Sequence, residues 1–300
     1  MPYPIRRLAT VVAVVAMTLM ALPLQAAAGI DPGGYVIRTM DVVLPDDTPG
    51  LDGARLPCGT GLRIVTGGAF LHVPGGGPDP MLNAYLSSSA PTRDAKGWFA
   101  AGINWGPGEV LLRIVAYCLP KAAIGSYTIV TSEGTPAHGA YADRDRRCPA
   151  GQRVVTGGGL WHRSGVRSST DVEGYLRSSA PDGDARGWYS VGYNDDTDPS
   201  FTVIALCRAA GKIGAYSMRR LDVPVGTDEA DGDRVDCPAG SRAIPGGAFW
   251  HRAGEARDPG LATWLRASAP QAGGKRWYAG GVNNDAATVR LRIVVLCRST

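Results

Sequence analysis

Cys148-Pro149-Ala150-Gly151, followed by Arg153, recurs as Cys237-Pro238-Ala239-Gly240 with Arg242 and as Cys58-Gly59-Thr60-Gly61 with Arg63. Downstream of each start the same residues return in step. Gly67-Gly68, Gly157-Gly158 and Gly246-Gly247 come first, then Leu71-His72, Trp161-His162 and Trp250-His251. Ser89-Ala90-Pro91 matches Ser179-Ala180-Pro181 and Ser268-Ala269-Pro270. Trp98, Trp188 and Trp277 each stand 40 residues after their cysteine, and Asn104, Asn194 and Asn283 six further on. A closing cysteine ends each copy, at 118, 207 and 297. Upstream, Gly33-Gly34-Tyr35, Gly125-Ser126-Tyr127 and Gly214-Ala215-Tyr216 form matching leaders, with Asp41, Glu133 and Asp222 six residues past each tyrosine. Self-similarity at a fixed long period means one backbone unit built repeatedly. The copies divide the chain into modules at 29–120, 121–209 and 210–300, and their short junctions make them abut.

The repeat also fixes the cysteine pairing. Six cysteines allow 15 connectivities. Equal spacing within each copy selects Cys58–Cys118, Cys148–Cys207 and Cys237–Cys297. A staple across about 60 residues contributes roughly 4 kcal/mol on the chain-entropy model, which matters for a module with a small core. No close cysteine pair of metal-binding spacing occurs, so neither a metal nor another cofactor is expected.

Alternation sets the fold class. In the last copy Val289, Leu291, Ile293, Val295 and Cys297 share one face, with Arg290 and Arg292 on the other. Period two with arginine outside is a half-buried strand. With 41 Gly and 22 Pro in 300 residues, the chain reads as short strands and turns. The expectation is an all-β protein: three tandem disulfide-stapled modules of about five antiparallel strands, sandwich-like or in a pseudo-threefold arrangement. The strands start near Tyr35, Arg63, Asn83, Trp98 and Val110 and at the matching positions. The Gly-Gly pairs predict a bulge or a close backbone approach. Asp41 with Arg63, Glu133 with Arg153 and Asp222 with Arg242 are expected as ion pairs between neighbouring strands.

The start of the chain reads as a signal peptide over residues 1–28. Arg6 and Arg7 precede an apolar run from Leu8 to Leu24, and Ala26-Ala27-Ala28 supplies small residues for cleavage. Its removal leaves a net charge of +2 against +4 for the whole chain. The reading is therefore a secreted protein, extracellular or periplasmic, with no membrane span after cleavage. Its charges are interspersed, which excludes the basic stripe of a nucleic-acid binder.

The pattern C-P-A-G-x-R … G-G … S-A-P … G-W … N … C resembles a module of secreted proteins from high-GC bacteria, a family without an assigned activity. Gly59 in the first copy and Arg276 in the third depart from that pattern. Threefold repetition with C-P-x-G starts is also similar to the vitelline membrane outer layer proteins, whose repeats are shorter. That similarity implies a pseudo-threefold β-prism.

Catalytic signatures are absent: no nucleophile elbow, zincin helix, phosphate loop or dinucleotide fingerprint appears. The triplicated His72, Ser89 and Asp41 leave a hydrolase as a distant second alternative. The main expectation is a non-catalytic repeat protein that binds an extracellular polysaccharide or a cell-surface component multivalently. The first alternative is a structural envelope or matrix protein with no small ligand. Trp98, Trp188 and Trp277 read as core anchors. Candidate binding residues are His72, His162 and His251, set on three equivalent exposed edges, with Trp161 and Trp250 beside them. Phe99, Tyr189 and Tyr278 join them, since each points to the face opposite its neighbouring tryptophan.

Overall fold

A computed structural model describes residues 27–30, 34–45, 52–79, 81–163, 172–257 and 260–299. The expected signal peptide lies outside them except for Ala27 and Ala28. These belong to a short strand, β1 (Ala27–Ile30), which pairs with the next one, so the expected cleavage point falls inside a ladder. The protein is all-β, and six strands rather than about five make each module. Module 1 holds β2 (Val36–Leu44), β3 (Asp52–Pro57), β4 (Leu62–His72), β5 (Ala84–Pro91), β6 (Gly97–Asn104) and β7 (Val110–Pro120). Module 2 holds β8 (Thr128–Gly134), β9 (Tyr141–Arg147), β10 (Gln152–Arg163), β11 (Gly174–Pro181), β12 (Gly187–Asn194) and β13 (Pro199–Ala209). Module 3 holds β14 (Tyr216–Val225), β15 (Glu229–Asp236), β16 (Ser241–His251), β17 (Thr263–Gln271), β18 (Arg276–Asn283) and β19 (Val289–Ser299). The extra strand in each module, β3, β9 or β15, precedes the first cysteine. Its sequence is charged, as in Asp143-Arg144-Asp145-Arg146-Arg147, and it forms a sheet edge, where charge discourages pairing with other chains. One inward apolar residue anchors it: Leu56, Ala142 or Val235, all buried.

The modules do not own their sheets. The first sheet runs β1-β2-β7-β4-β17-β18-β15, the second β3-β6-β5-β10-β13-β8, and the third β14-β19-β16-β11-β12-β9. Every module gives three strands to one sheet and three to another. Each sheet therefore joins two modules, and the three close into a ring around a pseudo-threefold axis. The seams are short. Ser268 meets Ala69 between β17 and β4, Ser89 meets Gly159 between β5 and β10, and Ser179 meets Ala248 between β11 and β16.

The Gly-Gly pairs exist for this seam. A Cβ on Gly68, Gly158 or Gly247 would lie 2.2, 2.1 or 2.1 Å from the carbonyl oxygen of Ser268, Ser89 or Ser179 in the neighbouring module. A Cβ on the preceding glycine, Gly67, Gly157 or Gly246, would enter the ring of Trp98, Trp188 or Trp277. Those tryptophans are buried core anchors. Each indole N–H donates to a serine hydroxyl of the Ser-Ala-Pro step: Trp98 to Ser89 at 3.0 Å, Trp188 to Ser179 at 2.9 Å, Trp277 to Ser268 at 3.1 Å. Satisfying the one polar atom lets a ring that buries some 150–250 Å² sit at the centre without an orphan donor. The three Trp–Ser pairs surround an axial void of only about 10 Å³.

Leader tyrosines tie modules 2 and 3 to the module before each. Tyr127 Oη donates to Ile64 O at 2.7 Å, and Tyr216 Oη to Val154 O at 3.1 Å. These acceptors border bulges, where the β4–β7, β10–β13 and β16–β19 registers slip. Val65, Val155 and Ile244 from those bulges pack in one apolar cluster with Ile124 and Ile213, closing one end of the ring. Three disulfides join Cys58 to Cys118, Cys148 to Cys207 and Cys237 to Cys297, with Cα–Cα distances of 5.7, 5.6 and 5.6 Å.

The expected ion pairs are corrected by the register. Asp41 lies opposite Arg113, whereas Arg63 lies opposite Leu119, six residues along β7. At about 3.3 Å per residue the two are near 20 Å apart along the strand. Asp41 accordingly pairs with Arg113, and Asp222 with Arg292. Glu133 reaches Arg93 across a seam rather than Arg153.

Candidate functional site: an aromatic cluster at one end of the axis

The histidines sit in the interior, not on exposed edges as their strand-end positions suggest. His72, His162 and His251 are 0, 2 and 1% exposed. Every Nδ1 lies within hydrogen-bond distance of the next residue's carbonyl, at 2.7, 2.9 and 2.8 Å. Nε2 of His72 faces Asp41 at 3.4 Å and that of His251 faces Asp222 at 3.3 Å. In module 2 the corresponding atom faces the Thr202 hydroxyl at 2.8 Å. Burial alone would raise the Asp41 carboxyl, but hydrogen bonds and charge from Arg113 and His72 outweigh it and hold it below the usual range. Arg292 above all lowers Asp222 to about 2. These are internal polar clusters that brace the leader strand. Among the described residues no group of three or more His, Cys, Asp or Glu is placed to hold a metal.

The other expected binding side chains are covered as well. Trp161 and Trp250 fill the module interiors and are buried, as are Phe99 and Tyr189 on the outer sheet faces. Phe99 floors a concavity of about 130 Å³ with Leu160 and Ile204, rimmed by Arg55, Arg93 and Asp94. Tyr189 lies beneath the Arg257 guanidinium, 4.1 Å from its centroid. Tyr278 alone of the set is half-buried. The outer faces are thus lined differently on each sheet, so the expectation of three equivalent exposed patches does not hold.

Aromatic side chains instead converge where the first strand of each Ser-Ala-Pro hairpin begins. Tyr85, Tyr175 and Trp264 occupy matching positions on β5, β11 and β17, and they meet around the axis. Tyr175 contacts Tyr85 edge-on at 6.0 Å and Trp264 at 5.2 Å. Tyr193 adds a ring 5.5 Å from Trp264, and Tyr141 lies 5.3 Å from Tyr193. Trp105 lies beside the Tyr175 hydroxyl. Tyr85, Trp105, Tyr193 and Trp264 are partly exposed and Tyr141 is 40% exposed, so the cluster reaches solvent. It stands at the end of the strands opposite the apolar closure.

A second set of bulges builds this end. The β5–β6, β11–β12 and β17–β18 registers slip between Leu86 and Ser88, Leu176 and Ser178, and Leu265 and Ala267. The extra residues are Ser87, Arg177 and Arg266. A bulge re-aims the side chain it carries. Arg177 crosses to module 3, where Nε donates to Thr263 O at 2.8 Å and the guanidinium lies 5.2 Å from the Trp264 ring. On its other side Tyr141 stacks at 4.4 Å. Arg266 crosses to module 1 and lies 5.0 Å from the Tyr85 ring. Contacts of this kind contribute about 0.5–2 kcal/mol each and hold the rings at fixed angles. Glu173 and Asp195 border the cluster, linked by a backbone hydrogen bond of 3.0 Å from Asp195 N to Glu173 O. Burial and then the nearby Asp195 and Asp196 raise the Glu173 carboxyl.

The sequence held one signal for this cluster, since Tyr85, Tyr175 and Trp264 each stand 27 residues after the first cysteine of their module. No family model matches the chain, and no curated protein matches it either.

Proposed function

We propose that this is a secreted, non-catalytic protein that binds an extracellular glycan through the axial aromatic cluster. The observation that carries the reading is the meeting of six aromatic side chains from all three modules at one solvent-reached end of the axis, braced by Arg177 and Arg266. Pyranose rings present apolar C–H faces that stack on such rings, while their hydroxyls need polar partners beside them, and Glu173, Asp195 and Asn83 are at hand. Rigidly held aromatics bind at low entropic cost because little is immobilised on association. Three disulfides fit an oxidising compartment. No described helix is long and apolar enough to cross a membrane.

A polysaccharide array followed by calorimetry tests the reading. The expected result is at least one bound polysaccharide, one oligosaccharide per chain, and a loss of tenfold or more in Trp264→Ala and Tyr141→Ala with the fold retained. Absence of binding to every polysaccharide overturns it and favours the envelope or matrix alternative. Binding unaffected by both substitutions overturns the assignment of the site.

A further inference from the structure

The departure from the repeat at Gly59 falls at a basic concavity of module 1. Where modules 2 and 3 have Pro149-Ala150 and Pro238-Ala239 after the first cysteine, module 1 has Gly59-Thr60. Gly59 lies at φ +100°, a conformation closed to proline, whose ring holds φ at about −65°. A Cβ there would sit 2.9 Å from Nη2 of Arg38, which lies against the turn. The exchange also gives the turn two donors that Pro-Ala lacks, a main-chain N–H and a hydroxyl. Gly59 and Thr60 line a concavity of about 470 Å³ together with Arg55, Arg63, Lys96 and Lys121, and no acid is among its lining residues. Main-chain hydrogen bonds hold the pieces in place: Cys58 N donates to Lys96 O at 2.8 Å, and Lys121 N to Gly61 O at 2.8 Å. Arg55 is paired with Asp94 at 2.6 Å, while Arg63, Lys96 and Lys121 have no ion-pair partner among the described residues.

Module 2 keeps this backbone and loses the charge. Ala210 N donates to Gly151 O as Lys121 N does to Gly61 O, so an alanine stands in place of Lys121. Asp145, opposite Tyr189, stands in place of Arg55, opposite Phe99. Arg153 and Arg242, the counterparts of Arg63, donate to main-chain carbonyls, Gly214 O at 3.3 Å and Gly273 O. Arg63 has no such bond among the described residues, and its Nε is buried without an acceptor. Turning that guanidinium toward an incoming acceptor therefore breaks no hydrogen bond.

We infer that this concavity is an anion site, present in module 1 alone, for the sulfate or phosphate monoester groups of an extracellular polysaccharide. Guanidinium forks and ammonium groups are the donors such esters take. Here they come from three pieces of chain: the 59–63 turn, Lys96 in the hairpin between β5 and β6, and Lys121 just past β7. A tetrahedral monoester presents three free oxygens to donors arriving from separate segments, whereas a carboxylate presents two. The site stands at the end of the strands opposite the aromatic cluster. It is independent of that platform and stands if the platform fails.

One dextran octasaccharide in four forms, sulfated, phosphorylated as monoesters, carboxymethylated and unmodified, titrated calorimetrically into the full chain at low and high salt, tests this. At least one ester form is expected to bind tenfold or more tightly than the carboxymethylated and unmodified forms, with the difference shrinking at high salt. Which ester binds identifies the group. Lys96→Ala combined with Lys121→Ala, both exposed, is expected to weaken that form tenfold or more. Lys212→Ala combined with Arg219→Ala removes the same charge from exposed positions outside module 1 and is expected to change it less than twofold. Arg63→Gln is expected to weaken it several-fold, and Trp264→Ala to leave it unchanged. Neither ester binding more tightly than the unmodified form, or equal losses in the two double variants, overturns the site. Carboxymethyl dextran binding as tightly as the esters overturns the choice of anion, and a loss in Trp264→Ala overturns its separation from the aromatic cluster.

Discussion

Asp222 and Arg292 face each other across β14 and β19 and meet through two hydrogen bonds, Nε to Oδ1 at 2.6 Å and Nη2 to Oδ2 at 2.7 Å. This two-point contact, joined by His251, holds the carboxyl at about 2 against an ordinary 3.8. A carboxyl depressed in the folded state contributes stability that is present above its unfolded value and is lost as pH falls through the folded one. Asp222→Asn is therefore expected to lower stability at neutral pH by on the order of 1 kcal/mol, after allowance for solvent screening. The gap to wild type should close between about pH 4 and pH 2. Chemical denaturation at stepped pH measures it, and a gap that stays constant over that window contradicts the assignment.

Gly158 offers a sharper test of the seam. A Cβ there would sit 2.1 Å from Ser89 O and 2.4 Å from Ala90 Cα, both in the neighbouring module's backbone. Gly158→Ala must push two strands apart and should cost about 2–4 kcal/mol. Gly77→Ala, with nothing within 4 Å, is the control and should be neutral. Equal melting temperatures for the two variants would contradict the seam geometry.

Asn283 pins three loop carbonyls, donating to Val225 O at 3.0 Å, Gly226 O at 3.0 Å and Ala287 O at 2.9 Å while its Oδ1 accepts from Asp285 N at 2.8 Å. Removing a buried hub leaves several groups unpaired, so Asn283→Ala should lose about 3 kcal/mol and Asn283→Asp nearly as much. Hydrogen exchange should show the Asp285 amide and its neighbours opening first.

The disulfides should act separately and by similar amounts. Each closes a comparable loop, with sequence separations of 60, 59 and 60 residues. Replacing Cys148 and Cys207 together with alanine is expected to cost about 2–4 kcal/mol, as should either other pair. Denaturant midpoints of the three double variants decide it, and a pair whose loss costs nothing would contradict the expectation.

Much of this fold was legible because repetition reports geometry. Equal cysteine spacing gave the pairing, and alternation in Val289–Cys297 gave an inward-facing strand. Trp98, Trp188 and Trp277 read correctly as anchors. What escaped depends on register and on which neighbour a strand chooses. Nothing in Ser89-Ala90-Pro91 says that β5 pairs with the next module's β10 as well as with its own β6. Arg63 and Arg113 look equally available to Asp41 until the ladder is known. The charged strands β3, β9 and β15 carry one buried residue apiece, too little for a periodic signal. His72 at a strand end reads as exposed, yet it is buried with Asp41 of the leader strand facing its Nε2. The axial cluster stayed hidden because a bulge, invisible in sequence, decides where Arg177 and Arg266 point.

Sharing each sheet between two modules fixes the copy number by geometry. A module alone would present two open flanks, the outer sides of β4 and β5, each shaped for a different strand of a neighbour. Two modules would still leave one of each. The third copy meets both, and after that no complementary flank is left, so a fourth repeat in the same chain would have nowhere to dock. A single module expressed alone has the contacts to assemble as a cyclic trimer, with the covalent junctions replaced by symmetry.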